Sequence, residues 1–387
     1  MIAKKDIHGK TLWWFHFICL GFLLVWIIWH LYQFDMTNHG YILGDWLINY
    51  EDGGFKRRGL SGSFFFLLQD FTGIRLQYLV MAFQSLAYMA FFSVLLLIIR
   101  DRFLDLAFLI LLWSPVTLFC YVQEPTIIGR KEILVFLVFA LYALRLIKYG
   151  DGKFKHWPYY LSLCMTTLLH EVALFYIPYF ILLRRLHIKG EGILSRENLG
   201  FLISVFMPVA AIKLWGGDLN NGASFEILKN RGVEITGGIL SFKEIITTNV
   251  YRKYLLNHLS YGLAFLYGTV LVLLALPQRH RRDFMVGFLA SALLSLPLFY
   301  LALDWGRWVQ IHFILSMIVI STLLPRSTGD VEFQRPLTLG RLTLYSLLIL
   351  SNILLHVKHS YQGIRLNKIF VHAIKRYLSP NDSQKDP

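Results

Sequence analysis

Residues 20–29 read LGFLLVWIIW, residues 92–99 read FSVLLLII, and residues 263–276 read LAFLYGTVLVLLAL. None of these runs alternates polar with apolar positions, which excludes the strand pattern of a transmembrane barrel. An α-helix needs about 20 apolar residues to cross a hydrocarbon layer about 30 Å thick, and it pairs its own backbone groups inside lipid. The flanks of the three runs extend them toward that length. Across the 387 residues only 16% are charged and 56% are hydrophobic, whereas soluble domains carry about 25% charged residues. The sequence therefore predicts an all-α, polytopic transmembrane helix bundle.

The formal net charge is +14. In a soluble chain that excess would suggest a nucleic-acid partner. Here the basic residues fall mostly in short loops between apolar runs, where they set orientation, so the lipid bilayer is the expected partner and nucleic acid is not. Cys19, Cys120 and Cys164 lie in or near apolar runs without a CxxC pair and read as packing residues. The N-terminal run follows Lys4, Lys5 and Lys10 and is too long for the apolar part of a cleaved leader. It is expected to stay attached as the first span.

Apolar runs place about 11 spans at roughly 11–33, 76–99, 103–120, 132–149, 157–169, 171–184, 200–215, 259–277, 284–303, 308–325 and 341–357. The pair 157–184 is read as a hairpin of two short helices with His170-Glu171 at its tip, because both its flanks are basic. A single tilted helix is the other reading of that stretch. With the hairpin, Arg100/Arg102 and the basic stretches 145–155, 184–196, 279–282 and 326–341 lie on the cytoplasmic side with the N-terminus. Residues 1–357 form one transmembrane domain, with a first outer loop at 35–75 and a large outer loop at 216–258. Residues 358–387 read as a basic amphipathic tail, with Leu366, Ile369, Phe370, Ala373, Ile374 and Tyr377 on one helical face.

The first outer loop contains YILGDWLINY at 41–50, EDGGFKRRGLSG at 51–62 and SFFFLLQD at 63–70. It reads as two juxtamembrane helices joined by a glycine-rich, charged turn. Ionisable residues near membrane depth are costly and mark functional sites. The candidates gather on the outer side. Asp45, Asp52, His170, Glu171 and Asp304 are the candidate catalytic acids and bases. Glu51, Arg57, Arg58, Glu124, Arg130, Lys131, Arg307 and Trp305 are the candidate substrate-binding residues. Arginine forks match phosphate oxygens two bonds at a time. Gly129-Arg130-Lys131-Glu132 opens a helix, where backbone N–H groups and positive charge favour an anion. Trp305 and Trp308 flank Gly306-Arg307 and could stack on a sugar ring. The competing readings are a solvated interfacial turn for 51–59, dipole compensation for Glu132 and an aromatic belt for the tryptophans. No metal site is expected, since the HExxH and CxxC spacings are missing, and no cofactor is expected either.

This layout resembles the polytopic glycosyltransferases of the GT-C superfamily and, within that architecture, the Wzy-type O-antigen or capsule polymerases of bacterial inner membranes. The likeness rests on the large acidic first outer loop, the hairpin with His170 at its tip, and the outer arginines. It implies a polyprenyl-(pyro)phosphate-linked glycan as donor, and cell-surface polysaccharide synthesis as the process. It also implies chain-length or assembly proteins as partners. Asp35, Asp45 or Asp52 would be the base, and Arg57, Arg58, Arg130 and Arg307 would act on phosphate. Loop 216–258, with Arg231 and Arg252, would correspond to the second large outer loop of many polymerases. The alternatives are a transporter or flippase of lipid-linked or anionic substrates, and a non-enzymatic assembly protein. The span interiors carry few charges and the polar sites crowd one end, which favours a one-sided enzyme.

Overall fold

The computed structural model describes residues 2–51, 53–150, 155–188, 190, 192–217, 223–235, 237–238, 254–326 and 338–367. The chain is a helix bundle. Among the described residues six helices are long and apolar enough to cross a membrane, and the chain is a multi-pass membrane protein. These segments are Trp13–Met36 within α1 (Ile2–Met36), α4 (Leu76–Ile99), α11 (Arg196–Trp215), α13 (Leu255–Ala275) from Leu256, α14 (Arg281–Leu301) with the turn before it, and α15 (Trp305–Leu323).

Burial ranks them. The apolar window of α15 is 100% buried, whereas those of α1, α11 and α14 are each 28% buried. α15 is thus the central pillar, α4 is about half covered, and α1, α11 and α14 turn most of their surface outward, as Phe22, Leu214 and Leu293 do. α4 packs on α1 and on α7 (Glu132–Tyr149), α15 packs on α7, α13 and α14, and α8 (Trp157–Leu169) packs on α11.

The expected count of about 11 spans is not what the long helices supply. Residues 103–120 form only α5 (Leu106–Leu112), a turn, and α6 (Cys120–Gln123). Asp105 caps α5 by accepting from the Phe108 N–H. Pro115 lacks the N–H that a continuing helix needs, and the Thr117 hydroxyl donates to the carbonyls of Leu111 and Leu112 instead. Residues 171–184 split into α9 (Ala173–Tyr176) and α10 (Pro178–His187), because Pro178 leaves the Leu174 carbonyl without a donor. α7, α8 and α16 (Leu339–Leu354) are shorter or more charged than the six.

The first loop also differs from two comparable surface helices. Its first helix, α2 (Leu43–Trp46), is a single turn, and residues 42–49 are all buried. Only α3 (Gly59–Thr72) is long, and it buries Phe65 and Phe66 while exposing Leu67 and Phe71. Among the described residues of the large loop, Ala223–Asn230 form α12. The start of the expected amphipathic tail is instead an antiparallel hairpin, β1 (Leu355–Val357) with β2 (Ile364–Leu366). The tail beyond Asn367 lies outside the described residues.

The loops meet at two ends. At the far end Arg102 bridges to Arg326 and donates to the Leu324 carbonyl at 2.7 Å, and Arg185 pairs with Asp283 at 3.4 Å. At the near end the first loop meets residues 129–131, 171, 217 and 231, while Glu132 reaches Arg307 and Glu124 reaches the β-hairpin.

Candidate functional site

The near end is built from the first loop upward. The Gly62 N–H donates to the Ile48 carbonyl at 2.9 Å, and the Tyr50 N–H donates to Ser63 Oγ at 3.0 Å. These bonds lay the α2 segment against the start of α3. A Cβ at Gly62 would collide with the Ile48 carbonyl, so that close approach requires glycine. Arg58 precedes α3 in the left-handed region at φ 63°, a conformation that costs a non-glycine residue about 1–3 kcal/mol. The strain aims the guanidinium inward. Arg58 donates from Nη1 to Asp45 at 3.0 Å, and from Nε and Nη2 to both oxygens of Glu171 at 3.1 and 2.9 Å.

From there the charges run on without a gap. Arg57 lies 3.4 Å from Glu171, and Lys131 lies 3.9 Å from Asp45. Lys131 also donates to Ser61 Oγ at 2.9 Å and sits 5.5 Å from the Trp46 ring. His170 Nδ1 is 3.7 Å from Glu171, and its Nε2 is 3.2 Å from Glu132. Glu132 lies 3.3 Å from Arg307, which donates to Asp304 at 2.7 Å. One chain of alternating charge thus joins α2, α3, α7, the His170 tip and α15. Asp45, Arg57, Arg58, Lys131, His170, Glu171, Asp304 and Arg307 belong to it, and Glu132 is its hinge.

Burial makes the chain electrostatically strong. Burial raises the Asp45 carboxyl, but Lys131 and Arg58 outweigh that and hold it at about 2. Burial pushes the Lys131 ammonium down to about 8 against the pull of Asp45. The Arg58 guanidinium is held above its usual range because Glu171 and Asp45 outweigh its burial.

Beside the chain lies a small pocket lined by Arg130, Glu132, Arg307 and Gln310, with Phe136 and Ile314 among its apolar walls. Arg130 donates to the carbonyls of Tyr41 at 2.8 Å and Thr126 at 3.4 Å. Among the described residues no carboxylate pairs with it. Burial, and then the nearby Arg307 charge, work against its own charge. The ion-pair chain and Arg130 together hold five cations (Arg57, Arg58, Arg130, Lys131, Arg307) against four carboxylates (Asp45, Glu132, Glu171, Asp304).

Three sequence candidates lie elsewhere, and one cannot be placed. Glu124 is the centre of a separate cluster: His356 Nε2 is 3.0 Å from it, Lys358 2.8 Å and His359 3.1 Å. Those partners and Thr126 outweigh burial and hold the Glu124 carboxyl far below the usual range. Glu51 pairs with Arg231 at 2.9 Å on the exposed surface. Trp305 is fully buried, stacks on His258 and donates to the Phe299 carbonyl at 3.0 Å. It is a core residue and offers no open platform to a sugar ring. Trp308, 3% exposed, is likewise buried, with Arg307 over its ring. Asp52 lies outside the described residues.

Sequence reasoning missed His356, Lys358 and His359, because residues 341–357 read as a span and the rest as a helical tail. The density of HVKHS at 356–360 was the available signal. It also missed Gln310, which no local pattern distinguishes from a buried span residue. Among the described residues no group of three or more His, Cys, Asp or Glu side chains is placed to hold a metal ion. Comparison with protein-family models, with curated proteins and with solved structures finds no match to this chain.

Proposed function

We propose that this chain is a membrane glycosyltransferase or polysaccharide polymerase of the bacterial inner membrane. It takes sugars from a polyprenyl-(pyro)phosphate-linked donor at the periplasmic face, with the N-terminus cytoplasmic. In this reading the short helices α5–α6, α7, α8, α9–α10 and α16 act as further passes beside the six long ones. The observation that carries the reading is the gathering of buried and half-buried charge at one end of the bundle, five cations against four carboxylates, with Arg130 and Arg307 on one pocket. Buried charge that is not fully balanced is costly, and an anion docking there would offset the cost.

In the transfer the acceptor hydroxyl attacks the anomeric carbon and the carbon–oxygen bond to phosphate breaks. Negative charge grows on the departing phosphate, where Arg130 and Arg307 stabilise it. His170 takes the acceptor proton. Its Nε2 faces Glu132 at 3.2 Å and its Nδ1 faces Glu171 at 3.7 Å, and in its neutral form the ring accepts a proton at one of the two nitrogens. The crowding of the charges at one end supports a one-sided enzyme over a transporter.

The test is glycan elongation by the purified protein in lipid, supplied with polyprenyl-diphosphate-linked oligosaccharide. Arg57→Ala, Arg58→Ala, His170→Ala and Asp304→Ala should each lower turnover by about 100-fold or more. Unchanged glycan length in all four folded variants would end this reading.

A further inference from the structure

The far end of the bundle sets two like charges against each other. Arg102 pairs with Arg326 across an antiparallel backbone bridge, and the Phe103 N–H donates to the Pro325 carbonyl at 2.8 Å. Arg102 Nη1 donates to the Leu324 carbonyl at 2.7 Å, which holds its guanidinium just past the last turn of α15. Like charges directly opposite one another on paired backbones are destabilising. Burial, and then the Arg326 charge, lower the Arg102 guanidinium below its ordinary range, and Asp101 offsets only part of that. More positive charge lies alongside. His187, 2.8 Å from Thr322 Oγ1, is within electrostatic reach of Arg102 and of His280, and Arg279 donates to His280 Nε2 at 3.0 Å. The nearby acids have other partners: Asp283 pairs with Arg185 at 3.4 Å and Glu197 with Arg184 at 3.5 Å. Among the described residues Arg102, Arg279 and Arg326 form no ion pair.

These cations sit at the depth of lipid headgroups. The apolar segment Leu76–Ile99 ends just before Arg102, Trp305–Leu323 ends just before Arg326, and Gln278–Leu301 opens beside Arg279. Phe103, next to Arg102 in the chain, is 37% exposed. An exposed phenyl ring beside a guanidinium suits a ligand that carries an acyl chain next to its phosphate.

We propose that Arg102, Arg326 and Arg279, with His187 beside them, form a binding site for the headgroup of an anionic phospholipid. The forks of Arg102 and Arg326 engage the phosphodiester oxygens, and Arg279 adds attraction at longer range. The acyl chains run along the apolar surface that begins at Phe103. The lipid anion offsets the repulsion within the arginine pair. A zwitterionic lipid offers the same phosphate but brings its own cation into a site that is already positive, so the net charge of the headgroup is what is selected. The site lies at the opposite end of the bundle from the charge chain and does not depend on the transferase reading.

The test is native mass spectrometry and thermal unfolding of the full-length protein, delipidated in detergent. It is titrated with phosphatidylglycerol, phosphatidylcholine or glycerol 3-phosphate at one ionic strength. Phosphatidylglycerol should bind about ten-fold or more tightly than phosphatidylcholine and raise the unfolding midpoint. Arg102→Gln and Arg326→Gln should each weaken phosphatidylglycerol binding by about five-fold. Arg326 is exposed and its side chain makes no hydrogen bond among the described residues, so that variant carries the test if Arg102→Gln does not fold. Arg145→Gln removes the same charge from the last turns of α7 and should leave binding unchanged. Equal binding of the two phospholipids overturns the site, and so does the parental lipid preference in Arg326→Gln. An equal loss in Arg145→Gln also overturns it, since total charge alone would then explain the preference. Full competition by glycerol 3-phosphate overturns the lipid assignment, because a free phosphate would then be what is recognised.

Discussion

Arg58 and Glu171, 113 residues apart in the chain, are joined by two charge-assisted hydrogen bonds of 3.1 and 2.9 Å that pin the first loop to the His170 tip. The Arg58 side chain is only 12% exposed, and the same guanidinium holds Asp45. Removing it leaves two carboxylates without their main partner. Loss of one member of a buried pair costs about 3–5 kcal/mol. Arg58→Ala should therefore lower the unfolding midpoint sharply in detergent or nanodiscs, and Arg58→Lys should recover only part of it, since an ammonium cannot make the fork. The double variant Arg58→Ala/Glu171→Gln should be less unstable than the sum of the singles. Strictly additive losses would show that the two side chains are not coupled.

Stability should depend on pH through two buried members of the chain, rising with pH in two separate windows. Asp45 is held at about 2, below the ordinary 3.8, so its contribution is present above about 4 and is lost as pH falls toward 2. Asp45→Asn should flatten the unfolding midpoint across that acid window. Lys131 is held at about 8, below the ordinary 10.5, so the folded chain binds fewer protons than the unfolded chain between those values. Its contribution therefore improves as pH rises from about 8 toward 10.5. Lys131→Met should remove that slope, and an unchanged slope in the variant would contradict the assignment.

The β-hairpin should depend on one glycine and one acid. A Cβ at position 306 would collide with the Lys358 carbonyl, and the Arg307 N–H donates to the His359 carbonyl at 3.2 Å. Gly306→Ala should lift the hairpin from the start of α15 and cost about 1–3 kcal/mol, as overpacking does. Glu124→Gln loses the charge that His356, Lys358 and His359 surround. Both variants should speed amide hydrogen exchange at residues 355–366 by ten-fold or more, with the central α15 little changed. Exchange at the hairpin no faster than in the parent would show that these contacts do not hold it.

The two ends of the bundle should label from opposite sides of the membrane. Glu51 lies at the near end with its side chain 45% exposed, and Ile193 lies in the far-end loop at 58% exposure. A membrane-impermeant thiol reagent added outside intact inner-membrane spheroplasts should modify Glu51→Cys rapidly and spare Ile193→Cys. The native background should be small, because Cys120 is buried and Cys19 and Cys164 are partly buried. Labelling of Ile193→Cys alone would invert the orientation and remove the periplasmic site.

The class of protein and the collection of charge near one set of helix ends were readable in the chain, because apolar run length and the placement of basic loops are local properties. Pro115 and Pro178 were readable as helix breakers too, yet windowed hydropathy runs straight across them. A proline removes one N–H without changing the average, so two expected spans became broken pieces. The partners of the charges were not readable. Arg58 with Glu171, His170 with Glu132, and Glu124 with His356 join residues 113, 38 and 232 positions apart, and only packing around α15 brings them together. The same packing turned Trp305 into a core residue and, among the described residues, left the Gln310 side-chain nitrogen without a hydrogen-bond partner. Burial and pairing are properties of what surrounds a side chain, and the linear order of residues does not carry them.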